Sequence, residues 1–469
     1  MIDDEELEQR THRLLAEAAH LHRGNQAIHE AFDRFTEPLR LAVAGPAGSG
    51  KSTLVNALIG EDVAPVAAGG DFVAYRDGTH PRAWWHAEGG LPYEVPMAPA
   101  GHGLRLSVDG PAAPGTRVVV EWPSRVLRRT RLIDTRGPVP FVDADAVLYV
   151  TPHVDETHLL ELRAGRGIRG PSVFPVQTMV VLSRADETGG GNAGDVLRIK
   201  QIARRRRSDP RIGALCQDML AVSPLIGHAA RTLRDEEFRA IATLARLPRE
   251  EVGPYLLSTD RFTTAGSLGT VDADERARLL QRFGMGGIRH AIVLARHTAT
   301  STAALSELLA EYSGVTYLQS SIAELFTARR ALLKARSALT ALDHLLRSLP
   351  EAGPLLARLE LLVAETHEFR ELRLLSAIRC GRVNLPADIA VDARRLLGGS
   401  GISVGERLGV PAEAGPAEIW ARANEAADRW RSEVYRRDQE PAQRRAAEIV
   451  LRSCDMILAR LDRMAATPE

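Results

Sequence analysis

"GPAGSGKST", residues 45–53, meets the pattern G-x-x-x-x-G-K-[ST] through Gly45, Gly50, Lys51 and Ser52. It stands between a short apolar run, "LRLAVA" (39–44), and a helical stretch, "KSTLVNALIG" (51–60). Glycines at 45, 48 and 50 let successive backbone N–H groups turn inward toward phosphate oxygens. Lys51 supplies a cation for β- and γ-phosphates, and the Ser52 hydroxyl suits Mg²⁺. The positive end of the following helix adds to such an anion site. Ala47, Gly48, Ser49, Gly50, Lys51, Ser52 and Thr53 are therefore the expected phosphate cradle.

Two further stretches belong with a strand–loop–helix of this kind. In "RLIDTRG" (131–137), Asp134 closes an apolar run and can hold Mg²⁺ through water, while Gly137 can offer its N–H to a γ-phosphate. Arg136 reads as a solvated arginine, with a cation near the γ-phosphate as the alternative. In "VVLSRADETGGG" (180–191), Ser183, Arg184 and Asp186 resemble the guanine-reading N/T-K-x-D. Asp186 would accept hydrogen bonds from the guanine ring N–H and exocyclic amine. Adenine would leave that carboxylate unpaired. Arg184 stands where lysine is usual, and Ser223 in "AVSPLIG" (221–227) is a weak candidate for the loop beneath the base.

Further apolar runs at 117–122, 131–134, 146–151 and 178–183 alternate with helical or loop stretches, which predicts a mostly parallel α/β sheet with helices on both faces. "GDFVAYRDGTHPRAWWHAEGG" (70–90) is expected to form a hairpin about its Arg-Asp-Gly turn, with Trp84 and Trp85 packed on the sheet. Leu7, Leu14, Leu15, Ala18, Leu21, Ile28 and Phe32 predict one amphipathic helix over 4–34 that packs on helices from elsewhere in the chain. Beyond about residue 250 strand signals nearly vanish. Residues 273–298, 303–348, 354–380 and 416–465 read as helices, and the second, at ~1.5 Å per residue, would span roughly 65–70 Å if unbroken.

At 469 residues the chain calls for more than one domain. Sixty Lys+Arg against 60 Asp+Glu leave no net field to draw it to nucleic acid. Only three of those cations are lysines, one of them inside the glycine-rich loop. "ARRRRSDPR" (203–211) has no interleaved aromatics and reads as a solvated face. Three isolated cysteines fit reduced thiols. His153 and His158 lack convincing metal spacing, so no zinc site is expected. The acidic start "MIDDEELEQR" reads as lacking a secretory signal, and no apolar run is long enough to span a bilayer, so membrane contact is expected to be peripheral.

In order, "GPAGSGKSTLVNALIGEDVAP", "RLIDTRG", "ADAVLYVTPHVDETHLLEL", "VVLSRADETGGG" and "ARRALLKARSAL" resemble bacterial dynamin-like proteins, and among them the actinobacterial, isoniazid-inducible type. The resemblance implies a dynamin-type GTPase domain (36–245), an N-terminal helix (1–35) joining a neck bundle, and a helical neck and trunk (246–469). It implies GTP or GDP with Mg²⁺ as ligands. It also implies a cytoplasmic location at the inner face of the cell membrane, and nucleotide-dependent pairing as a homodimer or with a second dynamin-like chain. No nucleic-acid partner is expected.

Two departures bear on catalysis. Dynamin-type GTPases carry a threonine in the loop before the D-x-x-G strand, but "VAAGGDFVAYRDG" (66–78) has none, and the next is Thr79. Pro46-Ala47-Gly48-Ser49 also lacks the polar residues that dynamins place in the phosphate loop. Phosphoryl transfer rests on such positioning and electrostatics. The expectation is a slow GTPase that remodels or tethers membranes, with a catalytically impaired scaffold as the alternative and a ribosome- or nucleic-acid-associated GTPase as a third reading. No catalytic residue is assigned. Leu346, Leu349, Leu355 and Leu356 in "LRSLPEAGPLL" (346–356), beside Arg347 and Arg358, are either a lipid-inserting tip or the apolar closure of a bundle.

Overall fold

A computed structural model describes residues 4–65, 72–87, 90–99, 103–107, 116–136, 144–164, 177–187, 195–207, 209–213, 215–379, 381–399 and 401–466. Its strands are β1 (Leu39–Ala44), β2 (Phe72–Asp77), β3 (Arg82–His86), β4 (Tyr93–Val95), β5 (Met97–Pro99), β6 (Leu104–Leu106), β7 (Arg117–Trp122), β8 (Thr130–Thr135), β9 (Ala146–Thr151), β10 (Thr178–Leu182) and β11 (Asp218–Ala221). Nine of them make one sheet in the order β11-β10-β9-β1-β8-β2-β7-β3-β4, and β5 pairs with β6. From β11 to β8 every neighbour is parallel. β9 and β10 read as near-continuous apolar runs because both faces are covered, and every residue of the two is buried.

The expected β2–β3 hairpin does not form. The Val-rich β7 lies between them, parallel to β2 and antiparallel to β3. Val118, Val119 and Val120 are all buried, so β7 gains more as an interior strand than as an edge, and the Arg-Asp-Gly turn cannot pair its own flanks. Trp85 is buried in the core and Trp84 packs against the opposite face of the sheet, as expected.

The N-terminal segment is a helical hairpin rather than one helix. α1 (Asp4–Leu21) ends before Gly24, and the Asn25 side chain caps α2 (Gln26–Thr36) by accepting from Ile28 N. Leu7, Leu14, Leu15, Ile28 and Phe35 join one apolar cluster with Leu332, Leu333, Leu339, Leu342, Leu355 and Leu359, continuous with one face of the sheet. The Arg10–Glu365 and Arg358–Glu17 pairs, each 2.6 Å, border this contact.

The extended helix expected over 303–348 is broken into Thr302–Ser313, Val315–Ile322, a π-turn at Ala323–Thr327 and Arg330–Leu346. Gly314 makes the first break with φ +83°, and a Cβ there would lie 2.5 Å from the Ala221 carbonyl oxygen. Gly353–Glu365, Glu368–Arg379, Ala387–Leu396, Val404–Leu408, Pro416–Val434 and Pro441–Ala466 complete an all-helical body. Its far cluster is built around Trp430, whose indole N–H donates to Asp392 Oδ2 at 2.9 Å. The domain limit expected at 245/246 falls inside one apolar cluster running from Ile226 to Leu309.

Candidate functional site

β1 lies between β8 and β9, and the chain leaves its C-terminal end through the glycine-rich loop into α3 (Lys51–Ile59). This is the switch point where ligands sit in open α/β sheets. Leu54, Val55, Ala57 and Leu58 bury α3 against the sheet, so the loop is anchored at both ends. Among the described residues no side chain caps α3, which leaves its first amides to an anion. Lys51 Nζ donates to the carbonyls of Gly45 (2.9 Å) and Pro46 (2.7 Å). Burial lowers its pKa, and the charge of Asp134 opposes that shift.

The parallel register sets Asp134 beside Val43. Its Oδ2 accepts a 2.5 Å hydrogen bond from Ser52 Oγ. Burial pushes the Asp134 carboxyl up, against the pull of Ser52, Lys51 and Arg136. Arg136 is exposed. Gly137 lies outside the described residues, as does 66–71, the start of the segment searched for a threonine. Thr79 follows β2, whose other end, Phe72, pairs with Thr135. Thr79 thus sits at the end of the sheet away from Asp134.

At the end of β10, Arg184 adopts a left-handed φ of 52°, uncommon for a residue with a side chain. Its Nη2 reaches across to the Gly48 carbonyl at 2.7 Å, and Nη1 pairs with Glu187 at 3.0 Å. Asp186 is buried and its Oδ1 accepts from the Ser223 hydroxyl. Burial raises its pKa against that hydrogen bond. Two buried hydroxyls, Ser49 Oγ and Ser183 Oγ, find no partner among the described residues. Such groups are costly unless something else satisfies them, so the cradle has donors to spare for a polar ligand. The phosphate-loop residues, Asp134, and the Ser183–Asp186 segment therefore meet at the C-terminal ends of β1, β8 and β10. Sequence reasoning left Ser223 weak, because its role depends on a contact with Asp186 across two strand ends. It missed Gly284 altogether: this residue breaks the helix Ala273–His297, and a Cβ on it would lie 3.7 Å from Asp186 Oδ2.

The other candidates lie elsewhere. Leu346 and Leu355 are buried, and Leu349 and Leu356 pack half-buried against the same cluster. In this conformation these leucines close the bundle. His153, Asp155 and His158 bring ligand atoms within 4.8 Å of one another. Asp155 is already engaged at the start of Glu156–Ala164, accepting from both His158 N (3.0 Å) and the His158 ring (2.7 Å). Arg204, Arg205 and Arg206 are all exposed, and Arg206 also donates to the Val154 carbonyl. Among the described residues no helix is long and apolar enough to cross a membrane.

A mostly parallel sheet whose interior strand β1 feeds a phosphate loop, together with a large helical body, defines a P-loop α/β protein with a helical trunk. The chain belongs to the family of the isoniazid-induced protein IniC. It is 35% identical over 455 residues to that protein from two strains of Mycobacterium tuberculosis, covering 91% of each chain. No family model matches it. Two solved structures described as an oligomerised bacterial dynamin pair, with a mechanism for long-range sensing and tethering of membranes, cover 100% of this chain and 76% of theirs. At 10% identity and a TM-score of 0.32, the likeness is too slight to bear on the fold.

Proposed function

We propose that this chain is a dynamin-like guanine-nucleotide-binding protein that hydrolyses GTP slowly and tethers or remodels the cytoplasmic membrane by pairing with itself or a related chain. The observation that carries the nucleotide reading is the Asp186 carboxylate, buried, clasped by Ser223, and joined to the phosphate loop through the Arg184–Gly48 contact. A carboxylate held out of water at that place is suited to two N–H donors on a purine edge, and guanine offers both.

Lys51 and the amides opening α3 would hold the phosphates, and the Arg184 stem would cover the base. Ser52 and Asp134 form the hard oxygen set that Mg²⁺ prefers. When bound, that ion offsets phosphate charge during transfer. Lys51 would exchange its two carbonyl partners for phosphate oxygens. Slow turnover follows from the missing threonine and the apolar Pro46-Ala47. The membrane part of the reading rests on the family resemblance.

Titration with fluorescent GDP, GTP and ADP tests binding and base choice together. Steady-state hydrolysis beside a Lys51→Ala control separates the slow GTPase from a scaffold, which predicts no difference between the two proteins.

A further inference from the structure

The helix Ala273–His297 does not run straight. At Gly284 the backbone takes φ 64° and ψ 169°, a conformation essentially reserved for glycine. An added Cβ would lie 3.3 Å from Leu225 Cδ2 and 3.7 Å from Asp186 Oδ2. The break therefore occurs where the helix passes the carboxylate assigned to the base. The other oxygen, Oδ1, already accepts from the Ser223 hydroxyl, so Oδ2 is the more open of the two oxygens that would receive the guanine N–H donors.

A second helix break meets the same corner. Ser223 N donates to the Ser313 carbonyl at 2.8 Å, and Gly314 follows at once, pressed against the Ala221 carbonyl. Ser223 also accepts from Ile226 N and so starts the helix Pro224–Arg231. Two glycine breaks, at 284 and 314, thus abut the Asp186–Ser223 pair.

Resting on the guanine reading above, we propose that Gly284 is a base-specificity position. Its bare backbone keeps the Oδ2 side of Asp186 open to the exocyclic amine of guanine, and occupancy of that edge is felt at the helix breaks of Gly284 and Gly314. A methyl group at 284 would press on Leu225 Cδ2, fill the space in contact with Oδ2 that the amine would use, and force the backbone from a conformation that L-residues avoid. Gly284 positions the site without reacting, so its signature is a change in base preference rather than a loss of all binding.

The experiment compares GDP, inosine diphosphate, which lacks the exocyclic amine, and ADP by calorimetry on the full chain and on Gly284→Ala. The variant is expected to lose at least tenfold in GDP affinity and less in inosine diphosphate affinity, so that the ratio between them falls. In case the variant folds poorly, hydrogen exchange on the unaltered protein reads the same coupling. GDP should slow exchange at 282–288 and 313–316 more than inosine diphosphate at equal saturation. A folded variant with an unchanged ratio, or exchange that does not distinguish the two nucleotides, overturns this proposal alone. An unaltered protein that ignores GDP at millimolar concentration overturns the guanine reading and this proposal together.

Discussion

Ser52 Oγ donates to Asp134 Oδ2 at 2.5 Å, tying the first turn of the phosphate-loop helix to the end of the neighbouring strand. Two motifs far apart in sequence meet in this one contact. It holds an acidic oxygen in a buried place beside Lys51, where a divalent cation and phosphates would balance the charge.

The first prediction concerns pH. Burial raises the pKa of Asp134. A carboxyl with a higher pKa folded than unfolded keeps its proton longer in the folded chain. Its contribution is most favourable below the unfolded value, about 3.9, and is lost as pH rises through the raised folded pKa. Asp134→Asn is therefore expected to gain in melting temperature over the ligand-free wild type, by on the order of 1–2 °C, with the gap widening from pH 4 toward neutrality. Thermal scans across that range check it, and a gap that does not change with pH would refute the assignment.

Lys51→Ala removes a cation whose two present partners are main-chain carbonyls that water can replace. Folding should change little. Nucleotide affinity should fall by about 2–3 kcal/mol for the lost charge-assisted bonds, roughly 30- to 150-fold. Circular dichroism with GDP calorimetry separates the two effects. An equal affinity in both proteins would mean that the loop is not the phosphate site.

Arg276 is wholly buried and gathers four carbonyls: Phe262 (2.7 Å), Val271 (2.8 Å), Thr264 (2.6 Å) and Gly266 (3.0 Å). It pins the connection before the broken helix. Arg276→Met leaves those oxygens without their donor and should cost about 3–5 kcal/mol. Urea unfolding would show a lower midpoint at constant slope. A loss below about 1 kcal/mol would show that water serves those carbonyls equally well.

Leu355 is buried at the turn of the helical pair, while Leu349 is half-buried. Leu355→Asp should destabilise by more than about 3 kcal/mol, because an unpaired carboxylate enters an apolar cluster. Leu349→Asp should be milder and leave vesicle flotation unchanged. Loss of flotation in a well-folded Leu349→Asp protein would return the turn to the lipid surface.

The phosphate loop, Asp134 and the Ser183–Asp186 stretch are legible in the amino-acid order itself, because each is a contiguous pattern beside an apolar strand. Their chemistry needs particular residues at short spacing, and spacing is what a sequence records. The α/β class is legible for the same reason, from strands buried on both faces. What the chain order does not show is which strand lies beside which. β7 enters between β2 and β3 because burial of its valines outweighs a local turn. The long helix breaks at Gly314 because the strand end at Ala221 comes too close for any side chain there. Ser223 and Gly284 join Asp186 through such packing alone. Local propensity is settled within a few residues, whereas close approach between distant segments exists only after the core has formed.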